Sequence, residues 1–185
     1  MIIIGITGTL GAGKGTVVEY LMEKKGFTHY SVRAYLLKEI GRRGMAENRD
    51  SMVSVANELR AKHGPSYVTD QLYLEALVTG NNCIIESIRT PGEIDSLRKK
   101  GNFHLLAVDA EQHLRYARIT GRNSETDNIT YETFTANEAR EMNTSDPNKQ
   151  NLRACIKEAD FILNNDGTKE DLFGEVEKVL KQITG

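Results

Sequence analysis

The chain has 185 residues, of which 39% are hydrophobic and 27% are charged, and its 24 basic and 26 acidic side chains give a net charge of −2. This composition predicts one globular domain and argues against a dedicated nucleic-acid binder. No apolar run approaches the roughly 18 residues of a membrane span, and no signal-peptide pattern opens the chain. Cys83 and Cys155 form no CxxC pair, which excludes a disulfide framework and favours a reducing, cytoplasmic compartment.

Strand-like and helix-like segments alternate along the chain. The opening run 1–7 is apolar and rich in β-branched residues, which is typical of a buried strand. Further short strands are predicted at 29–31, 82–88, 103–108 and 160–163. Helices are predicted at 14–25, 33–40, 50–62, 66–78, 91–100, 112–120, 130–141, 148–158 and 168–183. Because the connections are too long for hairpins, this order predicts an α/β fold with a parallel five-stranded sheet and helices on both faces.

Local signals mark the ends of several elements. Gly26 fits the end of the first helix, since glycine readily adopts the left-handed conformation that closes many helices. The segment 41–44 is predicted to be a loop. Asp50 is predicted to cap the third helix, and Pro91 to be the first residue of the fifth.

The strongest functional signal lies between the first strand and the first helix. The glycines there allow the backbone to bend around an anion, so that N–H groups and the helix N-terminus face a triphosphate. Lys14 is expected to reach the β- and γ-phosphates, and the hydroxyl of Thr16 to join the shell of a Mg²⁺ ion. The residues predicted to bind ATP are Gly8, Gly11, Ala12, Gly13, Lys14, Gly15 and Thr16.

The order Gly-Lys-Gly-Thr differs from a strict Walker A motif, in which Ser or Thr directly follows the lysine. In this order the chain resembles the adenylate-kinase group of nucleoside monophosphate kinases. The resemblance implies a P-loop kinase domain over 1–185 that uses ATP and Mg²⁺. It also implies a monophosphate-binding helical segment at 31–80 and a lid at 123–145.

The resemblance assigns roles to two residues after the third strand. Glu86 stands where these kinases usually have an aspartate, and it is expected to bind Mg²⁺ through water. Arg89 is expected to hold the acceptor phosphate, because guanidinium binds phosphate through two hydrogen bonds. The alternatives are a buried hydrogen-bonded carboxylate for Glu86 and a surface ion pair for Arg89.

Arg-Ile-Thr-Gly-Arg at 118–122 matches the family motif that enters the lid. Arg118 and Arg122 are therefore expected to neutralise charge on the transferred phosphoryl group. Arg140 is a candidate for a further lid arginine and for binding the acceptor, whereas Arg153 is a weaker candidate for the lid, for which a solvated arginine is an equal alternative. Two solvated arginines are the alternative at 118 and 122.

The acceptor segment departs from the family pattern. Ser31 matches the family's Ser/Thr, but Arg33 and Ala34 replace its glycine and aspartate, and Leu37 replaces its final arginine. Arg33 is a candidate substitute for that arginine. The segment 164–168 resembles the adenine-contacting loop of adenylate kinases and dephospho-CoA kinases, and it fits equally well a turn with Thr168 as a helix cap.

Two further segments, 58–65 and 88–94, resemble a subgroup of archaeal adenylate-kinase-related proteins and of P-loop domains attached to deoxycytidylate deaminases. The deaminase motifs are absent from the sequence. Three functions stay open: transfer of phosphate from ATP to a nucleoside monophosphate such as CMP or dCMP, a kinase with another acceptor such as dephospho-CoA, and a non-catalytic nucleotide-binding module. The expected partners are small nucleotides, without nucleic acid or membrane.

Overall fold

The computed structural model describes residues 1–121 and 129–185. Its sheet has five parallel strands in the order β2-β3-β1-β4-β5. The strands are β1 (Ile3–Gly8), β2 (Thr28–Ser31), β3 (Cys83–Glu86), β4 (Phe103–Asp109) and β5 (Phe161–Asn164). This architecture confirms the predicted fold class.

Nine helices connect and cover these strands in the described part of the chain. They are α1 (Lys14–Lys25), α2 (Val32–Arg42), α3 (Arg49–His63), α4 (Tyr67–Thr79), α5 (Pro91–Arg98), α6 (Gln112–Thr120), α7 (Tyr131–Met142), α8 (Leu152–Lys157) and α9 (Lys169–Thr184). None of the described helices is long and apolar enough to cross a membrane.

The sheet separates two apolar layers. On one face β1 contributes Ile4 and Ile6, which pack with residues of α1 and α9. On the other face Ile3 packs with residues of α2 to α5. Every residue of β1 is buried because the strand lies between β3 and β4 and is covered on both faces, as expected for a continuous apolar run in a parallel sheet.

Most element ends lie within two residues of the prediction, but the cap of α3 was wrong. Asn48, rather than Asp50, caps this helix, and its side chain accepts a hydrogen bond from the Ser51 backbone at 2.9 Å. Asp50 lies in the first turn instead, where a negative charge is favourable near the helix N-terminus. Both residue types suit either position, so the sequence did not distinguish them.

The predicted loop at 41–44 was also partly wrong, because α2 continues to Arg42. Arg42 and Arg43 each pair with Glu39, one turn earlier, at 2.8 and 2.7 Å. These two arginines hold the pKa of Glu39 down to about 2. Pairs three and four residues apart stabilise a helix, and here they support its last turn.

The carboxyl ends of all five strands meet at one edge of the sheet. The chain leaves β1 toward β2 on one side and later reaches β4 on the other, so the loop after β1 lies where the strand order reverses. Ligands of open parallel sheets bind at such a switch point. Glu86 ends β3 and Asp109 ends β4 at this same edge.

The central strand offers a test of this arrangement. Ile4→Ala should lower the free energy of unfolding by about 2–5 kcal/mol, because the Ile4 side chain is fully buried between the sheet and the helices α1 and α9. Urea unfolding followed by circular dichroism measures the change. The control Ile162→Ala removes a side chain that is 61% exposed on β5, and it should change stability by less than about 0.5 kcal/mol. Equal losses in the two variants would contradict the placement of β1.

Candidate active site

The loop after β1 needs glycine at its turning points. Gly8, Gly11 and Gly13 have positive φ angles of 135°, 80° and 96°. A Cβ at Gly8 would lie 2.0 Å from the Val108 carbonyl oxygen, and one at Gly13 would lie 2.2 Å from the Asn165 side-chain nitrogen. The loop therefore lies too close to β4 and to the segment after β5 to accommodate side chains at these positions.

The loop carbonyls point toward the protein. Leu10 O accepts a hydrogen bond from Arg115 Nη1 at 3.1 Å, and Ala12 O accepts one from Asn165 Nδ2 at 2.8 Å. In a trans peptide the N–H points opposite to the carbonyl of the same peptide unit, and no cis bond occurs in the described chain. The N–H groups of Gly11 and Gly13 therefore face away from these partners, as a phosphate cradle requires.

The N-terminus of α1 completes this cradle. Gly13 is its N-cap, no described side chain caps it, and its first turn contains no acidic residue. The positive end of the helix thus carries no internal counter-charge, which favours an anionic ligand. Lys14 lies at the same point, and its Nζ donates to the Gly8 and Thr9 carbonyls at 3.0 and 2.7 Å.

Glu86 lies beside this loop as an ionised carboxylate. Its Oε1 accepts a hydrogen bond from Ser87 Oγ at 2.9 Å, and His29 Nε2 lies 3.7 Å from its Oε2. Burial acts to raise the pKa of Glu86, but His29, Ser87 and the charge of Lys14 outweigh it and lower the pKa. An ionised oxygen ligand near a phosphate site fits Mg²⁺, which takes few protein ligands and keeps several waters.

The donor set for the metal stays small. Thr16 lies in the first turn of α1 and is half-buried. No cluster of three or more His, Cys, Asp or Glu side chains that could hold a metal ion occurs within 1–121 and 129–185. A cation bound by Thr16 and Glu86 would therefore take most of its ligands from water and phosphate.

Two arginines of α6 lie behind the loop, and sequence reasoning singled out only one of them. Arg118 Nη2 donates to Asn165 O at 2.8 Å, and its Nη1 is buried without a hydrogen-bond partner in the described residues. Arg115 is the more buried and bonds to the Ala110 and Leu10 carbonyls and to Glu138. Arg122 and the first part of the predicted lid lie outside the described residues.

A cavity, which we call the acceptor cavity, opens at the same edge of the sheet as the phosphate loop. Its volume is about 100 Å³. Four arginines and one carboxylate provide its charged groups: Arg33, Arg49, Arg60, Arg89 and Glu141. Val32, Leu36, Met52, Val53 and Ala56 form the apolar part of its wall, and Ser87 and Gln150 complete it.

Glu93 holds two of the arginine residues that line this cavity, Arg60 and Arg89. Its Oε2 accepts from the backbone N–H groups of Arg89 and Thr90 at 2.7 and 3.0 Å, and its Oε1 accepts from Arg60 Nη2 at 3.3 Å. Glu93 and Arg60 are both almost fully buried. This ion pair holds the segment after β3 against α3.

The predicted acceptor residues occupy different places. Arg33 and Arg89 line the acceptor cavity together. Ser31 instead caps α2, where its Oγ accepts from Ala34 N at 3.2 Å, and it lines a separate cavity. Arg140 is exposed, pairs with Asp50 at 3.3 Å, and lines a neighbouring cavity.

Sequence reasoning missed Arg49, Arg60, Arg115 and Glu141. Arg60 and Arg115 have one usable signal: each lies on the buried face of its helix, with Ala56 four residues before Arg60 and Ile119 four residues after Arg115. A cation at such a position needs a buried partner. Arg49 and Glu141 carry no comparable local signal.

The segment after β5 forms the turn and helix cap that were one of its two predicted interpretations. Thr168 caps α9 and forms a capping box with Asp171, as the turn reading predicts. Asn165 is buried and binds the phosphate loop at Ala12. Contact with adenine stays a prediction.

Comparison with known proteins identifies relatives of this chain. A family model described as AAA domain matches residues 4–163. A UPF0200 protein of Methanococcus maripaludis is 30% identical over 191 aligned residues, which cover 99% of this chain and 98% of that protein.

Two solved structures show the same fold. The crystal structure of TT1252 from Thermus thermophilus matches with a TM-score of 0.65 at 23% identity, over 100% of this chain and 98% of the other. Shikimate kinase from Bacteroides thetaiotaomicron matches with a TM-score of 0.59 at 12% identity, over 98% of each chain. At these identities the likeness concerns the fold alone.

The contact between Asn165 and the phosphate loop is testable by stability. Asn165→Ala should lower the free energy of unfolding by about 1–3 kcal/mol, because it leaves the buried Ala12 carbonyl without its donor. Its exposed neighbour offers a matched control, since Asn164→Ala should change stability by less than about 0.5 kcal/mol. Urea unfolding midpoints measure both. Coinciding midpoints for wild type and Asn165→Ala would contradict this role.

Proposed function

We propose that this chain, which belongs to the AAA domain family and, with its archaeal relatives, to the UPF0200 proteins, transfers the γ-phosphoryl group of ATP to a nucleoside monophosphate. One observation carries the proposal. A phosphate loop and an arginine-lined cavity open at the same edge of the sheet. The charge of Lys14 lowers the pKa of Glu86, Glu86 accepts a hydrogen bond from Ser87, and Ser87 lines the acceptor cavity.

On the donor side, the loop amides and Lys14 bind the phosphates of ATP. Thr16 and Glu86 would hold Mg²⁺ there, and the ion would neutralise charge on the β- and γ-phosphates. Arg118 contributes further positive charge through the Nη1 that faces no described partner. Such a site promotes the reaction by positioning the reactants and by stabilising negative charge, because phosphoryl transfer requires little covalent chemistry from the protein.

On the acceptor side, the charges of the cavity favour a phosphate ester. Four arginines line it, and Glu141 is the one carboxylate among the described residues of its wall. A phosphate monoester brings about 1.5 to 2 negative charges and three acceptor oxygens. The apolar part of the wall, on α2 and α3, suits the flat face of a base, and a pyrimidine such as CMP or dCMP is the smallest choice.

Ser87 supports the view that the cavity is functional. Its φ of 74° is the one left-handed backbone among the non-glycine residues of the described chain, a conformation that such residues rarely adopt. Strain of this kind persists where the surroundings enforce it, often at an active site. Ser87 lies in the chain between Glu86 and Arg89, so the strain occurs where donor and acceptor would meet.

A coupled ADP-release assay tests the proposal. The protein is given ATP and Mg²⁺ with CMP, dCMP, UMP, AMP, GMP or dephospho-CoA, each in turn. ADP release that depends on a nucleoside monophosphate supports the proposal. ADP release with dephospho-CoA alone would instead show that the protein is a kinase with another acceptor. ATP binding without acceptor-dependent ADP would leave the non-catalytic module as the function.

Lys14→Ala should abolish phosphoryl transfer, because it removes the cation that is proposed to bind the β- and γ-phosphates, and it should leave the fold intact, because the side chain is only partly buried. Turnover in the same assay and the circular dichroism spectrum measure the two effects. Lys24→Ala, at an exposed position of the same helix, should keep wild-type turnover. Wild-type turnover in Lys14→Ala would contradict the whole site assignment.

Arg89→Ala should chiefly impair use of the acceptor. We expect the KM for the monophosphate to rise at least about tenfold, the loss of one charged hydrogen bond, with the KM for ATP within about twofold. Arg98→Ala, which removes an arginine paired with Asp160 outside the cavity, is the control. An unchanged acceptor KM would remove Arg89 from the acceptor site.

A further inference from the structure

One carboxylate of α7 joins two arginines of the acceptor cavity. Glu141 Oε2 accepts from Arg89 Nη1 at 2.7 Å, and its Oε1 accepts from Arg49 Nη2. The Glu141 side chain is only 5% exposed. Because Arg49 begins α3 and Arg89 follows β3, Glu141 connects three separate segments at one point.

This carboxylate leaves part of the cavity's hydrogen-bonding capacity unused. The Nε atoms of Arg49 and Arg60 are buried and have no partner in the described residues, and the same holds for the Gln150 Oε1. The Arg60 side chain is only 2% exposed. Buried donors without acceptors are costly, and a group with more acceptor oxygens than a carboxylate would satisfy the two Nε donors.

A second cavity lined by cations lies next to Glu141. It lies on the wall between the acceptor cavity and a neighbouring cavity of about 250 Å³. Arg140 and Lys149 line that neighbouring cavity. These two cations pair with Asp50 and Asp146, and a rotation of the Glu141 side chain toward them would place its carboxylate near positive charge again.

We propose that Glu141 is an internal occupant of the acceptor-phosphate position, which the phosphate of the acceptor must displace before it binds Arg49, Arg60 and Arg89. The proposal rests on the proposed function for the identity of the acceptor. It makes Glu141 a specificity-determining residue. Displacement takes free energy, so it sets a threshold that a dianionic phosphate passes and that weaker anions do not.

Physical chemistry favours the phosphate in this exchange. A carboxylate offers one charge and two oxygens, whereas a phosphate monoester offers up to two charges and three oxygens. The third oxygen gives an acceptor to the Nε donors that Glu141 leaves without partners. The released carboxylate keeps a positive environment beside Arg140 and Lys149.

The test measures binding of inorganic phosphate by calorimetry in four chains: wild type, Glu141→Gln, Glu132→Gln and the double variant Glu141→Gln/Arg89→Ala. Glu141→Gln keeps the size of the side chain and removes its charge, so phosphate should bind about tenfold more tightly than to wild type. The gain should vanish in the double variant. Glu132→Gln, the same change at an exposed position of α7, should leave the phosphate affinity within about twofold of wild type.

Phosphate binding at the loop after β1 is common to all four chains and cancels in the comparison. If Glu141→Gln does not fold, Glu141→Asp keeps the charge and shortens its reach to the arginines, and a smaller gain in phosphate affinity is expected. Equal or weaker binding in the folded variant would overturn the proposal and make Glu141 a residue that orients the arginines. A gain that survives Arg89→Ala would overturn it too.

These outcomes are separate from those of the proposed function, because phosphate binding needs neither ATP nor turnover. An enzyme that uses monophosphates but shows no gain in Glu141→Gln keeps its function and loses the internal occupant. A chain that releases no ADP with any acceptor but shows the gain keeps the occupant and loses the proposed reaction.

Discussion

The buried guanidinium of Arg115 is the interaction on which the site depends. It donates to Ala110 O at 2.7 Å, to Leu10 O at 3.1 Å and to Glu138. Through these bonds one side chain joins the end of β4, the phosphate loop and α7. A shift of the loop would cost Arg115 its hydrogen bond to Leu10 O, and leaving a buried polar group without its partner costs about 1–3 kcal/mol. The curvature that turns the loop amides outward is therefore fixed by a residue 105 positions away.

Carboxylates that are largely buried pair with the arginines around the phosphate loop and the acceptor cavity. Glu93 forms an ion pair with Arg60, and Glu138 forms one with Arg115. Glu141 pairs with both Arg89 and Arg49. The net charge of −2 hides this pattern, because residues 1–62 hold 10 basic and 6 acidic side chains, a balance of +4, and the remainder holds 14 and 20, a balance of −6. The acceptor cavity forms where these oppositely charged parts of the chain meet.

The sequence predicted what local patterns encode. Each strand and helix has its own spacing of apolar residues, and the glycines around Lys14 lie in one continuous segment. The parallel sheet and the phosphate loop could therefore be predicted from the sequence. The acceptor cavity combines residues from Val32 to Gln150, and no local pattern records that Arg49 meets Glu141 across 92 positions. Family resemblance pointed to Arg118, whereas the buried face of α6 contains Arg115.

Helix α7 connects the two sides of the site through carboxylates one turn apart. Glu138 binds Arg115, which holds the phosphate loop, and Glu141 binds the arginines of the acceptor cavity. Residues three apart lie on the same face of a helix, so one face of α7 presents both carboxylates, and Arg115 extends the donor-side contact to Leu10 O. The relative position of the phosphate loop and the acceptor cavity therefore depends on the spacing of Glu138 and Glu141 along one helix.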